Sequence, residues 1–215
     1  MKNIQSKTAL IIVDMQKYYL LPESDYCRYF EQLSPGCLDF IRDRCRNTVI
    51  PNIQRLSHSF RQQQGEILYL RLCGEREDRS DLHRFFHETY LNGLIKGFPA
   101  IYPLSRDPMS DVLDELKPLP TEVTLTKTTF SAFNSTDIET LLKSRDIGNL
   151  VFTGLATSQC VETTARDASD RGFCVIHLDD AQADYDEMTH NASLYSSIGV
   201  CGGNIMTTDA YLEGF

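Results

Sequence analysis

The sequence predicts one α/β domain over residues 1–215: a doubly wound, mainly parallel six-stranded sheet flanked by helices. Three observations predict it. Short runs that are apolar throughout recur along the chain, as strands buried on both faces require. Helix-length amphipathic runs separate them. No internal repeat, low-complexity run or interdomain linker breaks the alternation.

The first apolar run, Thr8–Val13, reads as a strand and ends at Asp14. A helix with Ile53, Leu56 and Phe60 on its apolar face follows; Pro51 marks a start or kink, and Gly65 closes it. Glu66–Leu72 is the second strand, with Arg71 near its end. Glu122–Leu125 is the third, with Lys127 just beyond. Thr136-Asp137-Ile138-Glu139 has capping-box spacing, Leu141 and Leu142 follow, and Gly148 lies past the predicted helix end. Asn149–Thr153 is the fourth strand. It runs through Gly154 into an amphipathic stretch, Val161 to Arg171, that stops at Gly172. Cys174–Leu178 and Asn204–Thr207 complete the set. Two segments interrupt the rhythm, 18–38 and 73–108, both rich in aromatics. Such excursions favour pocket walls or oligomer contacts over disorder.

A chain of 215 residues with 41% apolar and 24% charged residues suits one globular domain. Its net charge of −9 argues against nonspecific binding to nucleic acid or anionic membrane. Met1 to Lys7 is polar and precedes only a strand-length apolar run, so neither a signal peptide nor a membrane span is expected. The seven cysteines are odd in number and irregularly spaced, with no zinc-type pairing. A reducing cytoplasm is the expected compartment.

Chemistry concentrates at three strand ends. In a parallel sheet the carboxyl ends gather on one edge, where ligands bind. Asp14, Lys127 and Cys160 all fall there. Taken singly, Asp14 reads equally as a helix cap, Lys127 as a solvated side chain and Cys160 as a small core residue. Cys160 also opens a helix, where unpaired N–H groups and the helix dipole favour thiolate. An unperturbed thiol, with pKa about 8.5, is only a few per cent thiolate at neutral pH. Attack on an amide therefore needs a base or a lowered pKa. Asp14 is the candidate base and Lys127 its positive neighbour. Phe130 and Phe133 are candidate pocket walls or ordinary core. Gln16 bonds a pocket group or caps the next segment. Arg71 either pairs a substrate carboxylate or lies on the surface. His83 and His87 share helix spacing, without an obvious third metal ligand. No Gly-x-Gly-x-x-Gly follows the first strand, which disfavours a nucleotide-binding module.

Longer stretches carry a family resemblance. They are Ala9-Leu10-Ile11-Ile12-Val13-Asp14-Met15-Gln16, Lys127-Thr128-Thr129-Phe130-Ser131-Ala132-Phe133, Thr153 through Ala168 around Cys160, and Asp179-Asp180-Ala181-Gln182-Ala183. In this order and spacing the chain resembles the isochorismatase-like cysteine hydrolases. That family includes nicotinamidases and N-carbamoylsarcosine, ureidoacrylate and biuret amidohydrolases. The resemblance implies Cys160 as nucleophile, Asp14 as proton shuttle and Lys127 as orienter. It places oxyanion-binding N–H groups at Ala156 and Cys160, with a cis peptide between Leu155 and Ala156. It implies a small-molecule substrate and a homo-oligomer. It also has a gap: the Asp-x-His element of metal-dependent nicotinamidases is absent from Arg71-Leu72-Cys73-Gly74-Glu75-Arg76-Glu77-Asp78. The expectation is thus a hydrolase without metal or cofactor, acting on the C–N bond of an amide, carbamoyl or ureido compound. The presence of Cys160 favours that over vinyl-ether hydrolysis or a silent assembly role.

Overall fold

In the computed structural model, residues 7–200 and 204–214 are described. In chain order the principal elements are β1 (Lys7–Val13), α1 (Lys17–Leu20), α2 (Asp25–Leu33), α3 (Asp39–Arg44), α4 (Ile50–Gln62), β2 (Glu66–Leu72), α5 (Arg84–Ile95), β3 (Val123–Lys127), α6 (Ile138–Ser144), β4 (Ile147–Leu155), α7 (Glu162–Asp170), β5 (Cys174–Ala183), α8 (Glu187–Ser197), β6 (Asn204–Met206) and α9 (Thr208–Glu213). The strands form one sheet in the order β3-β2-β1-β4-β5-β6, and every pairing is parallel. Continuous apolarity explains the centre: Ala9 to Val13 are buried completely between β2 and β4. The order of strands reverses at β1. Loops leaving β1 and β4 therefore diverge to opposite faces and open a crevice at the carboxyl edge.

Two close approaches shape that edge. Gly154 pairs with Val13 and has φ +102°. A Cβ there would lie 2.1 Å from the Val13 carbonyl oxygen, so only glycine lets β4 pass β1 at this point. The helix after β1 is interrupted as Pro51 predicts. A π-helical turn, Cys45–Val49, joins α3 to α4, and the Ile50 N–H reaches back five residues to Cys45. Pro51 brings no N–H to continue the ordinary pattern.

The α6 boundaries differ in detail from those read in the sequence. The Thr136 hydroxyl accepts from Ile138 N–H at 3.2 Å. Glu139 does not close a capping box, because its carboxylate pairs with Lys143 and Arg171. The left-handed residue past the helix is Asp146, at φ 58°, and Gly148 belongs to β4. The two aromatic excursions pack on each other through Tyr18, Tyr26 and Tyr102, with ring centroids 5.7–6.2 Å apart. Cys27, Cys37, Cys45, Cys73, Cys160 and Cys174 are free thiols; Cys201 lies outside the described residues. Among the described residues no helix is long and apolar enough to cross a membrane.

Candidate active site

Asp14 leaves β1 with φ 51°, a left-handed conformation that aspartate tolerates better than most residues. Its N–H still donates to Leu70 of β2 at 2.9 Å, so the strand edge holds the turn. Gln16 secures the adjoining strand. Its side chain accepts from Leu72 N–H at 2.8 Å and donates to Leu72 O at 3.3 Å and Ser110 O at 2.7 Å. Gln16 is completely buried. Its amide closes the end of β2 and corrects the expectation of a substrate contact.

Lys127 ends β3, which β2 separates from β1. Its completely buried ammonium donates to Asp14 Oδ2 at 2.9 Å, Cys160 Sγ at 3.1 Å and Thr129 O at 3.2 Å. Those partners use all three of its protons. Cys160 sits in a π-helical turn, Thr157–Val161, in which Val161 N–H bonds Ala156 O at 3.2 Å. The turn is fastened from behind. Asp184 accepts from Ser158 N–H at 2.6 Å, and the Thr157 hydroxyl bonds His190 Nδ1 at 2.8 Å. His190 Nε2 in turn meets Asp179 at 2.7 Å, and Arg44 holds that carboxylate at 3.0 Å.

Burial governs the protonation states. It raises the Asp14 pKa, while the Lys127 charge and the Cys160 thiol draw it back only in part. Burial also opposes the Lys127 ammonium, but Asp14 and Cys160 outweigh it and hold its pKa above the ordinary lysine value. Burial pushes the Cys160 thiol well up; the Asp14 carboxylate adds to that, and Lys127 opposes it. The resting site is therefore a thiol beside a carboxylate–ammonium pair. The lowering of the Cys160 pKa expected from the helix start is overturned: burial of the sulfur outweighs it. Asp14 Oδ1 is buried without a hydrogen-bond partner among the described residues, leaving one acceptor beside the thiol. The Leu155–Ala156 peptide is trans, contrary to the cis bond implied by resemblance.

The model of the isochorismatase domain matches residues 8–210. The chain belongs to the isochorismatase family. Part of this family chain is 37% identical to the ureidoacrylate amidohydrolase RutB of Acinetobacter baylyi, over 49% of this chain. That match spans less than half of the relative, 43% of its length. An isochorismatase family protein from Desulfovibrio vulgaris superposes with a TM-score of 0.78 at 23% identity, covering 97% of both chains. A cysteine hydrolase from Pseudomonas syringae superposes with a TM-score of 0.74 at 28% identity, covering 96% of this chain and 91% of its own.

In this isochorismatase-family chain, Asp14 and Cys160 open onto a small cavity walled by Tyr19, Tyr26, Ala156, Gln159 and Tyr185. Three other residues singled out from sequence lie elsewhere. Phe130 packs on Phe86 and His83, with centroids 4.4 and 5.1 Å away. Phe133 packs on Phe173 and beneath the Arg171 guanidinium, 4.9 Å from its ring. Arg71 pairs with Asp111 at 3.2 Å and lines a separate cleft with Lys17 and Thr124. None of the three walls the Cys160 cavity, because packing and pairing elsewhere claim their side chains. His83 accepts from Phe85 N–H and caps α5, while His87 stacks on Tyr90. No group of three or more His, Cys, Asp or Glu placed to hold a metal occurs among the described residues.

Sequence reasoning gave segment 18–38 as pocket wall or oligomer contact without singling out Tyr19 and Tyr26, and it did not name Gln159 or Tyr185 as walls. A signal existed for Tyr185: it follows the carboxyl end of β5, the same edge that marks Asp14. Tyr26 comes from α2, and no local pattern predicts that α2 closes over β1.

Proposed function

We propose that this chain is a cysteine-dependent hydrolase that cleaves the C–N bond of an amide, carbamoyl or ureido compound through an acyl-thioester. The observation that carries the reading is one buried ammonium, Lys127, bonded to both Asp14 and Cys160. Cys160 Sγ attacks the carbonyl carbon as its proton passes to Asp14 Oδ1. The new S–C bond forms, and the carbonyl π pair moves to oxygen. Ala156 and Cys160 N–H groups hold that oxyanion; loss of one such donor costs about 10²–10³ in rate. The tetrahedral adduct collapses, the C–N bond breaks, and Asp14 gives its proton to the departing nitrogen. Ammonia leaves. Water then adds to the thioester as Asp14 takes its proton. The C–S bond breaks, the thiol recovers the proton and the acid is released. Lys127 remains an ammonium throughout, balancing Asp14 whenever that side chain is a carboxylate.

No step needs a metal, since the chain supplies nucleophile, proton shuttle and oxyanion donors. The test is ammonia release from small amides and ureides by wild type and Cys160→Ser, with and without chelator. Release that survives chelation and falls to background in Cys160→Ser is expected. Full activity in the serine variant, or loss on chelation, overturns the reading.

A further inference from the structure

The catalytic cavity is small, about 20 Å³. It adjoins a second cavity of about 450 Å³ and shares Tyr19, Tyr26, Leu38, Gln159 and Tyr185 with it. The outer cavity adds Phe30, Leu33, Phe85, Phe86 and Tyr102. Its volume lies within the range of small-molecule sites. Among the described residues no Lys, Arg, His, Asp or Glu lines it. In the inner cavity the sole charged wall among the described residues is Asp14, already paired with Lys127. The polar groups at the neck are neutral: Gln159 and the Tyr26–Tyr185 pair, whose hydroxyls lie 2.7 Å apart. Arg71, the strand-end cation, is turned away onto Asp111.

We propose that this site takes primary amides whose acyl portion is uncharged and apolar, with an aromatic or branched aliphatic body in the outer cavity and only the carboxamide in the inner one. The proposal rests on the amidohydrolase reading above and narrows it. The physical argument is desolvation. A substrate carboxylate entering this aromatic chamber loses its water and meets no cation, which disfavours it strongly. An aromatic body instead buries its area against seven rings and two aliphatic side chains. The same asymmetry favours turnover. Hydrolysis turns R–CO–NH2 and water into R–COO⁻ and ammonium, and the outer cavity offers the departing carboxylate no cation among the described residues.

The experiment has two arms. In the first, kcat/KM is measured for phenylacetamide and its para-carboxylate analogue. The uncharged amide is expected to win by at least about tenfold; a preference for the carboxylate overturns the proposal. In the second arm, turnover is not needed. Cys160 is alkylated with N-benzyl iodoacetamide and with iodoacetate, each rate being divided by that for a free thiol. A normalised preference for the neutral aromatic reagent supports the proposal, and parity or preference for iodoacetate overturns it. Leu33→Arg, at a position 48% exposed, is expected to shift that ratio towards iodoacetate. If neither amide is hydrolysed while the alkylation preference holds, the amidohydrolase reading falls and the apolar, cation-free binding site stands.

Discussion

At the scale of single residues, Lys127 and Asp14 act on the Cys160 thiol in opposite senses. Lys127 lowers its pKa and Asp14 raises it. Asp14→Asn therefore separates reactivity from catalysis. The variant keeps the ammonium 3.1 Å from sulfur but loses the repelling carboxylate, so more thiolate stands at neutral pH. Its Cys160 is expected to react with iodoacetamide about tenfold or more faster than wild type. Amide turnover is expected to fall to background, because nothing then carries the proton to the leaving nitrogen. Unchanged alkylation, read at Cys160 by mass spectrometry across pH, counts against the opposed charges. The three positions were legible because strand ends gather on one sheet edge. The thiol's protonation state was not: helix position is a local property, whereas desolvation depends on everything folded over Cys160.

At the scale of elements, β4 depends on a single glycine. Gly154→Ala places a methyl 2.1 Å from the Val13 carbonyl and forces a side chain into φ +102°. Both strands are buried, so neither moves aside cheaply. A loss of several kcal/mol is expected, read as insoluble protein or a collapsed urea midpoint. Gly172→Ala is the contrasting case. Its φ is also positive, +87°, but a Cβ there meets nothing within 4 Å. About 1–2 kcal/mol is expected, the conformational cost alone. Equal effects from the two substitutions refute the close-approach argument. Strands were legible from unbroken apolar runs such as Ala9–Val13 and Leu150–Phe152. Phe130, Phe133 and Arg71 fell outside the cavity because strand-end position says nothing of which neighbour claims a side chain. The aromatic walls were equally hidden: Tyr26 and Tyr185 meet across 159 positions of sequence.

At the scale of the whole molecule, one buried histidine couples stability to pH. His177 of β5 is 2% exposed, stacked on Phe152, with Nε2 unpartnered among the described residues. Burial lowers its pKa from 6.5 to about 4. The unfolded chain thus binds a proton that the native state refuses. The stability is full above pH 6.5, declines as pH falls, and is lost by about pH 4. Between pH 8 and pH 5 this one group accounts for a loss of about 2 kcal/mol. His177→Phe keeps the ring and removes the titration. Urea unfolding at both pH values is expected to show a smaller acid loss in the variant by that amount; an identical loss assigns the effect elsewhere. The six-stranded parallel sheet was legible in the alternation of runs. The excursions 18–38 and 73–108 were legible as pocket walls or oligomer contacts from their length and aromatic content; which of their residues face the cavity was not, since they carry no period.

The reversal of strand order at β1 also divides the chemistry between two stretches of chain. The proton carrier and its cation belong to the half that holds β1, β2 and β3; the sulfur belongs to the half that holds β4, β5 and β6. Neither half contains a reduced version of the reaction. Catalysis is a property of their seam, and it comes into being during synthesis only once the second half has docked onto the first.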